Sequence, residues 1–148
     1  MSKDEREAYA AVLSSLLMAG VFYIWISDGM AAGAFDGAQG VQVWAWQVFK
    51  LIGFGIVLAI LAHVSVAILH AVITREGNED LSDERDRLIT ARGMQVSLVV
   101  MSIGFLAMIV ILAWGYPVHV GLNLLLAGCI LGSLCGDLTR VYLYRRGR

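Results

Sequence analysis

The side chains best equipped for chemistry are a few polar and ionisable groups set in or beside long apolar stretches: His63, His70, Asn123, Asp137, Arg140 and Arg92. Ionisable groups at membrane depth are costly, so each is a functional candidate by default. Histidine titrates near neutrality and suits proton relay or ligation. His63 and His70 are seven residues apart, about 10 Å along a helix, so a relay between them needs water or a third group. Haem ligation by His63 needs an axial partner at like depth. His119 is at the opposite end of its segment, which leaves Met101. The plainer reading is a neutral His63 bonded to a backbone carbonyl, or to Ser97 or Ser102 on another helix. An unpaired carboxylate at Asp137 would cost several kcal/mol, so Asp137 is expected to pair with Arg140, three residues on, or with Arg92. That pair would act as a polar lock or as a transport site.

The elements that position these groups follow from composition. The chain has 148 residues, 59% of them hydrophobic, and one proline; its mean hydropathy is +0.74. This exceeds the apolar content of ordinary soluble domains. Crossing a hydrocarbon core of about 30 Å takes about 20 apolar residues in a helix. Four segments qualify, at about 7–26, 45–73, 91–114 and 118–143. The expected fold is all-α: an integral membrane four-helix bundle of two sequential hairpins, with an external loop at 27–44 and a cytoplasmic loop at 74–90. The first segment is read as a retained span rather than a signal peptide, because its charged start contains acids and no small-x-small cleavage site is clear.

Charge sets the expected orientation. Ten of the eleven Lys and Arg residues lie at the amino terminus, in the middle loop or in the tail, and only Lys50 falls on the other side. The positive-inside rule then places both termini in the cytoplasm. Trp25, Trp44, Trp46, Trp114 and Tyr116 gather at the outer ends and Tyr9, Tyr142 and Tyr144 at the inner, as aromatic belts do. Nucleic acid is not an expected partner, because the inner basic residues are matched by acids and adjoin anionic lipid. The tail Arg145-Arg146-Gly147-Arg148 reads as a headgroup anchor. Cys129 and Cys135 are six apart, off a common helical face, and read as small buried residues.

Packing signals fill in the bundle. Gly128, Gly132 and Gly136, extended outward by Gly121, recur at the spacing of GxxxG interfaces and let backbones come close, within the bundle or between two protomers. A homodimer is favoured over a monomer. Ala59, His63, Ala67, His70 and Thr74 form a small and polar stripe expected to face other helices rather than lipid. Ser2 and Glu5 make an S-x-x-E capping box, and a short interfacial helix is expected near Met30–Phe35. Gly115 and Pro117 mark a tight turn into the fourth span. Asp83 and Arg87 stand four apart, acid first, as a favourable helix pair. The acids from Glu76 to Asp86 fit no EF-hand spacing and read as a solvated or partner-docking surface. Neither a catalytic constellation nor a cofactor site is expected.

The middle-loop run Asp83-Glu84-Arg85-Asp86 has a near copy at Asp4-Glu5-Arg6-Glu7, and Ile73-Thr74-Arg75 is echoed by Leu138-Thr139-Arg140, which points to a duplicated hairpin. Two spans, a loop ending in D-E-R-D-x-x-I (Asp83 to Ile89) and two further spans resemble small bacterial inner-membrane proteins of unknown function. The resemblance implies a bacterial four-helix protein of the inner membrane with no catalytic residues to carry over. Some such proteins are thought to be encoded beside small helix-turn-helix regulators, which would imply a signalling or anti-repressor role. Three functions remain in view. One is a regulatory or accessory subunit that engages a partner through Asp83, Glu84, Arg85, Asp86 and Arg87. The second is a small dimeric transporter or channel. The third is a haem or quinone redox subunit.

Overall fold

The computed structural model describes residues 3–74 and 84–146, with side chains at 7–68 and 84–146. The Ser2–Glu5 capping box, the His70 side chain and Asp83 lie outside these. Four helices carry the described chain: α1 (Lys3–Ala31), α2 (Gly40–Thr74), α3 (Glu84–Ala113) and α4 (Val118–Arg146). Each is long and apolar enough to cross a membrane, and the protein is an all-α, multi-pass membrane bundle. At 35 residues and a rise of about 1.5 Å, α2 is about 52 Å long and exceeds the hydrocarbon thickness.

The helices stand in the order α2, α1, α4, α3. The broadest interface joins α3 to α4; α1 packs on α4, α2 packs on α1, and α2 touches α4 only slightly. Neighbours run antiparallel: Ala8 packs near Tyr144 at one end, and Phe35 meets His119 at the other. Lys3, Thr74, Glu84 and Arg146 therefore share one end, called here the terminal end. The opposite end carries the hairpin connections.

Both hairpin turns use one device. At the end of α1, the Ala34 amide donates to Gly29 O (3.0 Å) and the Gly33 amide to Met30 O (3.1 Å), with Gly33 at φ 62°. At the end of α3, the Tyr116 amide donates to Ile111 O (3.3 Å) and the Gly115 amide to Leu112 O (3.1 Å), with Gly115 at φ 80°. These are Schellman caps, which need a left-handed residue that glycine supplies without strain. Pro117 follows the second cap at the entry to α4, where its missing amide costs little. The first connection continues as turns from 32 to 35 instead of forming the separate helix expected near Met30–Phe35. The cap bends the chain inward, and Phe35 is buried at 3% exposure.

The α3–α4 interface is built on glycine. A Cβ on Gly104 would lie 2.6 Å from Gly128 Cα, and one on Gly128 would lie 2.7 Å from Gly104 Cα. On Gly132 it would meet Ser97 O at 2.8 Å, and on Gly136 it would meet Gly93 O at the same distance. The two backbones approach closely because these positions carry no side chain. The glycine stripe of α4 thus faces α3 within one chain.

Candidate functional site

The terminal half of the bundle gathers its polar groups around Asp137. Ser15 on α1 donates from Oγ to Asp137 Oδ2 at 2.8 Å, and its Oγ lies 3.5 Å from Ser133 Oγ on α4. On the other carboxylate oxygen, Arg140 approaches with a terminal guanidinium nitrogen at 3.8 Å from Oδ1. The i,i+3 spacing puts the two side chains on one helix face. Arg140 reaches the pair by laying its stem over Gly93, where a Cβ would come within 2.6 Å of Arg140 Cγ. Its Nε is buried and has no hydrogen-bond partner among the described residues. Asp137 therefore joins α1 to α4 while a neighbouring cation offsets its charge.

Above this cluster, an open cleft of about 400 Å³ runs between α1, α2 and α4. Ser14, Ser15 and Ser133 lie on its wall beside Met18, Gly55 and Cys129. Ser15 and Ser133 thus belong both to the cleft and to the Asp137 cluster. The Ser14 hydroxyl is held by its own helix, donating to Ala11 O at 2.9 Å.

Arg92 does not join the cluster. Gly93, one residue on, is the position that faces α4, so Arg92 is turned about 100° away and is exposed. His63 bonds a backbone carbonyl, as its plainer reading expects, but does not face another helix. Its ring is exposed on α2, and Nδ1 bonds Ala59 O at 2.8 Å. A carbonyl only accepts, so Nδ1 donates in this bond, and in the neutral ring Nε2 is then the acceptor. Ser102 bonds Leu98 O on its own helix at 2.8 Å and does not reach His63. Ala59 lines the cleft, whereas His63 and Ala67 face out. The stripe of α2 is therefore only partly turned towards other helices.

The ligand pair considered for haem is not assembled. Met101 packs against Gly132 in the α3–α4 interface, where a glycine Cβ would lie 2.7 Å from Met101 Cγ, while His63 is exposed on α2, at the far end of the row. His119 contacts Phe35 with ring centroids 5.9 Å apart. Cys129 and Cys135 are half-buried free thiols. Among the described residues, no group of three or more His, Cys, Asp or Glu is placed to hold a metal ion.

Asn123 lies towards the hairpin-turn end, away from Asp137. It accepts from Trp44 Nε1 at 2.7 Å and approaches Met30 Sδ at 3.6 Å through Nδ2. One amide side chain so ties α4 to α1 and α2. At the tip of the terminal end, Arg145 Nε donates to Tyr9 Oη at 3.0 Å. Ser15 and Trp44 were the partners least visible in sequence, since a serine among small residues and a tryptophan in a belt both have plainer roles.

No family model matches the chain, and no curated protein or solved structure is significantly similar to it. Of the loop residues proposed for partner docking, Glu84, Arg85 and Arg87 are exposed and Asp86 is half-buried.

Proposed function

We propose that this chain is a non-enzymatic accessory or regulatory subunit of a bacterial inner membrane, engaging a partner through the charged residues at the start of α3. The supporting observation is the one-sided packing of α2. It rests on α1 and barely touches α4, and it presents an exposed histidine whose Nε2 can accept a hydrogen bond. A polar acceptor on an apolar helix surface is stabilised by a donor from a neighbouring helix. The resemblance to small inner-membrane proteins with a D-E-R-D-x-x-I loop fits the same reading.

A second reading, a small transporter acting as a dimer, is favoured by the hydroxyl-lined route from the cleft through Ser15 and Ser133 to Asp137. Polar groups inside a membrane bundle commonly mark such paths. Purification from native membranes in mild detergent separates the readings. A stoichiometric partner that is lost on charge reversal of Arg85 and Arg87 is expected. Recovery of the chain alone, with solute flux in liposomes that Asp137→Asn abolishes, would replace the accessory reading with transport.

A further inference from the structure

At the terminal end, a cleft of about 300 Å³ opens between the first turns of α3 and the last turn of α4, lined by Arg85, Leu88, Ile89, Arg92, Leu143 and Arg146. We propose that this cleft binds the phosphate of an anionic phospholipid, with one acyl chain against its apolar floor.

Charge supports this choice of occupant. Three guanidiniums from two helices line the cleft and, among the described residues, no carboxylate does. Among the described residues, neither Arg85 nor Arg92 has an acidic partner. Arg146 donates to Tyr142 Oη at 2.9 Å and retains further donors, since a guanidinium carries five N–H groups. Guanidiniums match phosphate oxygens in pairs, which makes arginine the favoured residue for such a site.

Depth supports it independently. The 30 residues of α3 span about 45 Å, against about 30 Å of hydrocarbon. If Ala113 lies at the far edge of the hydrocarbon, about ten residues at the start of α3 stand beyond the near edge. Arg92 then marks the hydrocarbon boundary and Arg85 sits about 10 Å above it, so the pair spans the headgroup layer. Leu88, Ile89 and Leu143 provide apolar surface between and beside them. A soluble phosphate would have no use for that floor, whereas a lipid has a chain to lay on it.

The test is thermal unfolding of the full chain in micelles doped with dioleoyl phosphatidylglycerol, dioleoyl phosphatidylcholine or inorganic phosphate at matched concentration. Phosphatidylglycerol alone should raise the midpoint, with saturation. Arg92→Gln should weaken its apparent affinity about fivefold, the equivalent of about 1 kcal/mol per arginine. Arg85→Gln/Arg92→Gln/Arg146→Gln should abolish the selectivity while leaving the midpoint in phosphatidylcholine unchanged. Arg87→Gln removes the same charge from the same helix outside the cleft and should have no effect. Full selectivity in the triple variant overturns the proposal, as does an Arg87→Gln effect equal to that of Arg92→Gln. An equal shift from inorganic phosphate overturns the lipid as the source. Selectivity that is absent in the native chain and appears only after neutralising Glu76, Glu79, Asp80 and Asp83 would make the chain's own acids the occupant, which also overturns it.

Discussion

Ser15 on α1 and Asp137 on α4, 122 positions apart in sequence, share a 2.8 Å hydrogen bond that ties the first helix to the last. Without it, among the described residues, Asp137 would keep the Arg140 ion pair, at 3.8 Å. Removing one partner of a part-buried charge costs more than the bond itself contributes, because the other group stays desolvated. Asp137→Leu should therefore lower the melting midpoint in detergent. Ser15→Ala and Asp137→Asn should be non-additive, with a coupling of about 1 kcal/mol. Additive losses would show that the two side chains do not act together.

Glycine substitutions should split by position. Gly104→Ala places a methyl 2.6 Å from Gly128 Cα, and separating two packed backbones costs about 1–3 kcal/mol. Gly53 has nothing within 4 Å of its Cβ direction, so Gly53→Ala should be neutral or stabilising by up to about 1 kcal/mol. Thermal unfolding of the two variants checks the opposite signs. Equal effects would mean that α3 and α4 are not in backbone contact.

The connection between α1 and α2 should be held by Phe35, which packs on Gly29 and against the His119 ring. Phe35→Ala removes that anchor and should make residues 32–39 several-fold more sensitive to elastase, which cuts after small residues such as Ala32 and Ala38. Cleavage at the native rate would show that the caps alone hold the turn.

His63→Leu should leave the stability of the isolated chain within about 0.5 kcal/mol of native, the usual range for an exposed position, since among the described residues the ring bonds its own helix alone. It should weaken recovery of a bound partner. A large fall in the melting midpoint of the isolated chain would place the ring inside the bundle.

The four spans were legible because hydrophobic length reads directly as membrane crossing. Asp137 with Arg140 was legible because i,i+3 residues share a face. Pairing through helix order was not. Nothing local says that α1 lies against α4, so Ser15 read only as a small packing residue. Depth alone put Arg92 beside Asp137, but depth ignores rotation, and the one-residue step to Gly93 turns Arg92 out of the interface. The polar stripe of α2 was expected to be covered because small and polar groups face other helices rather than lipid. Here α2 stands at the end of the row, so His63 is left facing outward.

The docking surface and the lipid cleft both require the terminal end to face the cytoplasm, and labelling measures that directly. Single cysteines at Ala38→Cys and Arg87→Cys, in a background with Cys129→Ala and Cys135→Ala, would be treated in intact cells with a membrane-impermeant maleimide. Position 38 should label at once and position 87 only after permeabilisation. Labelling of position 87 from outside, with position 38 protected, would contradict this orientation.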